Sequence, residues 1–168
     1  MKIKQVLVPV DFSPNSLRAL EYAIELAKPF KSRLSVLFAV EPIYYVVPDF
    51  TGSPAMGEVL TEQLRTARTQ LARLAQQYAK RRIKLHTLLQ TGTAYEAIAD
   101  TAKQIKAELI VMATHGRTGM SHLLLGSVAE RVVRVAPCPV LTLRPAQQKR
   151  AAARKRRAKT ARRTKARR

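Results

Sequence analysis

The sequence predicts an α/β fold with a single, doubly wound, five-stranded parallel sheet and helices on both faces. Apolar runs of strand length alternate along the chain with segments of helical periodicity, and most connections between them are short. Several runs are apolar on both faces, which is typical of strands buried inside a parallel sheet. Because each crossover returns over the sheet in the right-handed sense, this alternation covers both faces with helices.

The first strand is predicted from Ile3 to Val10, and its last part, VLVPV, is apolar on both faces. Ser13 then offers a side-chain oxygen for an N-cap, and Pro14 suits the first position of a helix. The helix should end before Pro29. A second apolar strand follows from Leu34 to Val40.

A long helix is the next element. Apolar residues repeat at alternating steps of four and three positions from Leu60 to Tyr78, which places them on one stripe. We interpret this stripe as a core face and not as a coiled-coil seam. The remaining pattern predicts a strand, a helix, a strand, a short helix and a last strand, at Ile83–Gln90, Ala94–Ile105, Glu108–Thr114, Val128–Ala136 and Val140–Leu143.

The strand order follows from the same patterns. The strands that contain VLVPV, LSVLFAV and LIVMA should be central, whereas the third strand alternates and the fifth is short and bracketed by prolines, as edges often are. The simplest order is 3-2-1-4-5, with its switch point between strands 1 and 4. Open α/β sheets bind ligands in the crevice beside such a point, which here is bordered by residues 9–13 (PVDFS) and 113–127 (ATHGRTGMSHLLLGS).

The second of these loops predicts a phosphate site. It holds three of the six glycines, Gly116, Gly119 and Gly126, and leads to a helix N-terminus at Ser127. Unpaired N–H groups of Gly126, Ser127 and Val128 would lie there at the positive end of the helix dipole. The alternative is that the glycines only shape a turn and Ser127 is only an N-cap, but the switch-point argument independently places a ligand here.

Two roles remain open for Asp11, which ends the first strand in the same crevice. Its carboxylate could accept hydrogen bonds from ribose hydroxyls or help to hold a divalent cation. It could instead satisfy N–H groups of the turn that follows. His115 and His122 flank the glycines without metal-ligand spacing or a paired nucleophile, so we assign no catalytic residue and no metal ligand set. Cys138, the single cysteine, is expected in the core.

The formal net charge of +20 is distributed unevenly. Residues 149–168 contain twelve Lys and Arg and no acid, whereas residues 1–148 carry 19 basic and 11 acidic residues, a net charge of +8. We expect a domain over residues 1–146 and a tail over residues 147–168 that is disordered when unbound. The tail is expected to contact DNA or RNA without reading its sequence, the alternatives being a solubilising role or an acidic protein or membrane partner.

No apolar run in the chain approaches the length that a membrane span requires. The stretch from Val6 to Val10 is also too short for a signal-peptide core. These patterns predict a cytoplasmic protein without a membrane span.

The loop from Glu41 to Glu58 contains three aromatic residues that allow two roles. Its aromatic residues Tyr44, Tyr45 and Phe50 could close over a ligand, but covering the end of the sheet is the preferred role.

Four separated blocks of the sequence resemble the universal stress proteins: PVDFS, VMATHGRTG, LLLGSVAERVVR and APCPVLTLRP, in this order. The resemblance runs from about residue 3 to residue 145 and implies the fold predicted above. The nucleotide-binding branch of the family has a Gly-x-x-Gly, nine residues, Gly-Ser/Thr pattern. Here its second and third glycines fall on Gly116 and Gly126 and its Ser on Ser127, whereas Ala113 replaces the first glycine and adds a methyl group near the ribose–phosphate path.

The resemblance implies that the ligand is ATP, or AMP or ADP, and that any Mg²⁺ arrives with the nucleotide beside Asp11. It also implies an antiparallel homodimer through Val140–Leu143, a short apolar edge without a charge of its own. The implied nucleotide contacts are Pro9, Val10, Asp11, Val40, Met112 and Ala113 for adenine and ribose, and Gly116, Gly126, Ser127 and Val128 for the phosphates.

The predicted function is that of a stress-response regulatory protein that binds an adenine nucleotide with little or no hydrolysis. The chain has no GxxxxGK[ST] loop, and PVDFS lacks the glycines of the related ATP-pyrophosphatase loop. Arg117 is the conspicuous cation of the phosphate loop, so at most a weak ATPase is expected. The alternatives are a slow ATPase and a nucleic-acid-associated stress protein whose domain serves mainly for dimerisation.

Overall fold

The computed structural model describes residues 3–42, 55–114 and 126–144. In these ranges strands and helices alternate without exception, as the periodicity of the sequence predicts. The elements are β1 Gln5–Pro9, α1 Pro14–Ala27, β2 Arg33–Val40, α2 Ala55–Ala79, β3 Leu85–Thr91, α3 Ala94–Gln104, β4 Leu109–Ala113, α4 Ser127–Val135 and β5 Val140–Leu143.

The five strands form one parallel sheet in the order β3-β2-β1-β4-β5. The predicted order is therefore confirmed, with β1 at the centre and β3 and β5 at the edges. Val6, Leu7 and Val8 of β1 are fully buried, because helices cover this strand from both sides. The switch point lies between β1 and β4, as expected.

The side chains of the sheet alternate between two cores, since successive residues of a strand point to opposite faces. On one face, α1 and α2 pack against Val6, Val8 and Val36. On the other face, α3 and α4 pack against Leu7, Leu37 and other apolar side chains. Cys138 is half-buried against this second core, where burial raises the pKa of its thiol.

Helix α2 begins at Ala55, five residues before the predicted start of its stripe at Leu60. The last residues of the 41–58 segment are therefore helical, which corrects the expectation of a loop up to Glu58. The physical reason is that Pro54 is the last proline before this helix, so the helix can start directly after it. The stripe is a core face as predicted, with Leu71 and Tyr78 buried against the sheet.

Helix α2 has 25 residues, and its exposed side carries cations such as Arg65, Arg68 and Arg73. Within the described ranges, no helix combines the length and the apolar character that a membrane span needs.

Candidate functional site

The pairing between β1 and β4 is short. It comprises Val6 with Leu109 and Leu7 with Ile110, and so ends two residues before β1 itself ends. Pro9 contributes to this early end because proline has no N–H to donate to a ladder. The sheet therefore opens at the carboxyl ends of β1 and β4, at the switch point where a ligand crevice was predicted.

Strand β2 forms one wall of this crevice. Pro9 pairs with Leu37, and the Val10 N–H donates to the Leu37 carbonyl at 2.8 Å. Strand β2 continues for three more residues to Val40, which at about 3.3 Å per residue is about 10 Å beyond Leu37. The end of β1 is thus recessed beside a longer neighbour.

Asp11 is fixed in the turn between β1 and α1. Its Oδ1 accepts a hydrogen bond from the Ser13 N–H at 3.0 Å, and its own N–H donates to Ser16 Oγ at 3.2 Å. Ser13 is the N-cap of α1, as predicted, because its Oγ accepts the Ser16 N–H at 3.2 Å. The turn-forming role that was left open for Asp11 is therefore present, and it holds the half-buried carboxylate at the mouth of the crevice.

Sequence reasoning missed Phe12 in the same turn. Its φ of 61° lies in the left-handed region, which costs a bulky residue roughly 1–2 kcal/mol. Its ring contacts the ring of Phe38 with 5.0 Å between centroids. Backbone strain of this kind clusters at functional sites, and nothing in the local string DFSP signals it.

Helix α4 begins at the carboxyl end of β4 because two hydrogen bonds hold it there. The Gly126 N–H donates to the Thr114 carbonyl at 2.9 Å, and the Thr114 N–H donates to the Leu143 carbonyl at 2.9 Å. Thr114 itself is buried. The start of α4 is therefore bonded directly to the edge of the sheet that contains the crevice.

This arrangement corrects two expectations about the phosphate loop. The Gly126 N–H is not unpaired, because it is bonded to Thr114. Ser127 is not the N-cap: it is the first residue of α4, and Gly126 is the N-cap with φ −60° and ψ 149°. The helix geometry still leaves the N–H groups of Ser127 and Val128 without a partner inside the helix.

Side chains accept backbone N–H groups at the starts of α1 and α3. The carboxylate of Glu41 accepts the N–H of Ala94 at 2.8 Å at the start of α3, and Ser13 caps α1. Gly126 has no side chain with which to cap α4. In the part of the chain that the structure describes, no three His, Cys, Asp or Glu side chains lie together as a metal site. The crevice thus combines a helix dipole, a fixed carboxylate and apolar walls.

The structure brings nine of the ten predicted site residues to this one edge of the sheet. Val10 and Met112 are only 5% exposed, and their side chains pack into the two cores, so they present mainly backbone to the crevice. Pro9, Asp11 and Ala113 are half-buried, and Ser127 is exposed. Several predicted features lie outside the described ranges: Gly116, Gly119, His115, Arg117, His122, Tyr44, Tyr45, Phe50 and the tail over residues 147–168.

Fold and site together define a doubly wound α/β protein with a helix N-terminus at the switch-point crevice. A model of the universal stress protein family matches residues 2–144, and the chain belongs to that family. It is 37% identical over 147 residues to universal stress protein MJ0531 of Methanocaldococcus jannaschii, covering 84% of this chain and 82% of that protein. A universal stress protein of Thermus aquaticus is 37% identical over 142 residues, which cover 84% of this chain and 98% of that protein.

Solved structures agree with this assignment. Universal stress protein UspA from Lactobacillus plantarum superposes with a TM-score of 0.72 at 29% identity, covering 86% of this chain and 99% of that one. A universal stress protein in complex with cAMP superposes with a TM-score of 0.63 at 25% identity, covering 85% of this chain and 98% of that one.

Proposed function

We propose that this protein is a stress-response regulatory protein that binds an adenine nucleotide at the crevice between β1 and β4. The observation that carries this proposal is the hydrogen bond from Gly126 to Thr114, which holds the N-terminus of α4 at the switch point. The related universal stress protein that was solved with cAMP supports an adenine nucleotide as the ligand class.

The phosphates would be bound at the start of α4. The N–H groups of Ser127 and Val128 and the exposed Ser127 hydroxyl are donors suited to an anion, and the helix dipole adds to their effect. Gly116 would add backbone donors, as the family pattern implies. Gly126 contributes space rather than a donor, because its N–H is already bonded to Thr114.

Adenine and ribose would lie across the recessed end of β1. Asp11 is the acceptor for ribose hydroxyls, and its hydrogen bond from Ser13 fixes its position. The walls are formed by Val40 on one side and by Met112 and Ala113 on the other. The complete set of proposed contacts is Pro9, Val10, Asp11, Val40, Met112, Ala113, Gly116, Gly126, Ser127 and Val128.

The protein would regulate by whether a nucleotide is bound, and not by rapid hydrolysis of that nucleotide. The Asp11 carboxylate is anchored in a turn, which suits a fixed hydrogen-bond acceptor better than a mobile general base. ATP, ADP or AMP fits the same arrangement, and a Mg²⁺ ion would arrive with the nucleotide.

Replacing Gly126 by valine tests the phosphate site. The extended backbone of Gly126 (φ −60°, ψ 149°) is accessible to valine, so the variant should fold while its side chain crowds the phosphates. Calorimetric titration with ATP should show roughly tenfold to hundredfold weaker binding, equal to about 1.5–3 kcal/mol. Gly57→Val is the matched control, since an added Cβ at Gly57 meets nothing within 4 Å. A folded Gly126→Val variant that binds ATP as tightly as the parent would refute the phosphate site.

Two interactions extend this proposal. Strand β5 is a sheet edge whose four residues are all half-buried, which suits a homodimer formed through Val140–Leu143. The twelve cations of residues 149–168 suit contact with the phosphates of DNA or RNA. Arg144, which follows β5, lies at the carboxyl edge of the sheet.

A further inference from the structure

Most of the positive charge of the domain lies at the end of the sheet opposite to the nucleotide site. We call this end the amino edge. It is defined by the ten cations where helices end and strands begin: Lys4, Lys28, Lys31, Arg33, Lys80, Arg81, Arg82, Lys84, Lys103 and Lys106. With the nearby acids Glu21, Glu25, Asp100 and Glu108, its net charge is +6, out of +8 for residues 1–148.

The acids of this region compensate few of these cations. Glu25 pairs with Lys28 at 2.6 Å, and Glu21 pairs with Arg81 at 2.5 Å. The carboxylate of Glu108 accepts the backbone N–H groups of Lys4 and Gln5. The ion pairs between described residues include none of the other eight cations of the amino edge.

The positive charge of this edge affects the pKa of a neighbouring histidine. Burial lowers the pKa of His86 on β3, and the nearby charges of Arg33 and Lys84 lower it further. The amino edge is therefore a region of positive potential.

Hydrogen bonds hold the turns of the amino edge side by side. The Arg33 N–H donates to the Lys4 carbonyl at 2.7 Å, and Ser32 Oγ donates to the Ile3 carbonyl at 2.6 Å. On the other side of β1, the Glu108 N–H donates to the Gln5 carbonyl at 2.9 Å. The starts of β3, β2, β1 and β4 are neighbours spaced by about 4.8 Å, so the cations before them form a row about 14 Å long.

The backbone of the amino edge provides an independent observation. Lys31, Arg82 and Lys106 all have left-handed backbones, with φ of 55°, 60° and 53°. Each occupies the same position of a Schellman-type helix ending, in which the next residue donates its N–H to the helix: Ser32 to Ala27, Ile83 to Tyr78 and Ala107 to Ala102.

Glycine is the usual residue at this position, because any other residue is strained there. The chain instead has a long cationic side chain at all three equivalent turns. Strain that recurs at equivalent positions on one surface points to a role in function and not in folding stability.

We propose that the amino edge binds the phosphate backbone of a nucleic-acid duplex, adding its contacts to those of residues 149–168 and acting separately from the nucleotide site. The row of cations is comparable in length to the width of a major groove, about 12 Å, so its two ends can reach phosphates on both sides of the groove. Among described residues, the exposed large apolar side chains are Tyr22, Val59, Val133 and Val135, none of them in these turns. Phe30, beside Lys31, is half-buried, so the described turns present mainly cations to a partner, which suits phosphates better than a membrane interior or unpaired bases.

The test replaces the three strained cations by glycine in the full chain, Lys31→Gly, Arg82→Gly and Lys106→Gly together. Each lost phosphate contact makes the negative slope of log Kobs against log salt shallower by about 0.9. For a duplex, the slope of the triple variant should therefore be shallower by about 2.7. Thermal stability should stay the same or rise, since glycine relieves the left-handed strain. ATP binding should not change. A matched control removes three cations from exposed helical positions, Arg68→Gln, Arg73→Gln and Arg131→Gln. The salt slope of this control should change less than that of the triple glycine variant.

A second measurement uses the unmodified chain and so does not depend on the folding of a variant. Lysine acetylation read by mass spectrometry should show protection of Lys31, Lys84 and Lys106 when the duplex is bound. The proposal is wrong if these lysines are acetylated equally with and without duplex, or if the triple variant and its control lose the same slope. It is also wrong if the triple variant keeps its duplex affinity but loses binding to phosphatidylserine vesicles, since the partner would then be a membrane.

Discussion

The ionisation of Tyr78 should control the stability of the protein at alkaline pH. Tyr78 is only 3% exposed, and its hydroxyl donates to Glu21 Oε1 at 2.9 Å, joining α2 to α1. The guanidinium of Arg81 bonds the same carboxylate at 2.5 and 3.1 Å and lies 5.1 Å from the centre of the Tyr78 ring. Burial, followed by the hydrogen bond to Glu21, raises the pKa of Tyr78 from 10.0 to about 12.

The sign of the effect follows from this rise. The folded state keeps the phenol proton up to a higher pH than the unfolded state does. The contribution to the free energy of unfolding is therefore complete below pH 10.0 and is lost as the pH rises through about 12. A shift of this size corresponds to about 3 kcal/mol, since each pKa unit is worth about 1.4 kcal/mol.

Urea unfolding of the parent and of Tyr78→Phe across the alkaline range measures this contribution. Phenylalanine keeps the buried ring and removes the titrating hydroxyl, while Glu21 stays paired with Arg81. The parent should lose about 3 kcal/mol more than the variant as Tyr78 ionises, so that the two stability curves converge. Parallel curves throughout this range would mean that Tyr78 ionisation does not control the alkaline stability.

Three further predictions concern charge and assembly. The hydrogen bond from Arg81 holds the pKa of Glu21 below its usual value, so the free energy of unfolding should fall as acid protonates Glu21. In Glu21→Gln, the free energy of unfolding measured with urea should depend less on pH in the acid range. Leu141→Lys should weaken a β5 dimer, whereas a parent that sediments as a monomer at micromolar concentration would count against that dimer. Truncation after Gln148 should leave folding and ATP binding unchanged and remove most affinity for DNA and RNA at low salt; equal DNA binding by both forms would contradict the role of the tail.

The fold was predictable because its determinants are local and repeated. Ser13 and Pro14 mark the start of α1 with a cap and an N1 proline, and the structure begins that helix at Pro14. The apolar character of the three central strands was enough to order the sheet. The start of α2 was missed because the residues from Ala55 to Leu60 lack a repeating apolar pattern, although the helix can begin directly after Pro54.

The site was only partly predictable because its decisive contacts join distant residues. The sequence indicated donors at Gly126 and Ser127, but it could not show that the Gly126 N–H is bonded to Thr114, twelve residues earlier. The left-handed backbone of Phe12 has no local signal either. The cations of the amino edge, such as Lys31 and Lys106, are far apart in the chain, and only the parallel topology places their turns at one end of the sheet.

An NMR titration of the ¹⁵N-labelled full chain with ATP tests the central claim most directly, because it locates the nucleotide residue by residue. A nucleotide at the switch point should cause the largest amide shifts at Asp11, Ala113, Ser127 and Val128, around the carboxyl ends of β1 and β4. No saturable shift, or shifts confined to the turns of Lys31, Lys84 and Lys106 at the amino edge, would contradict it.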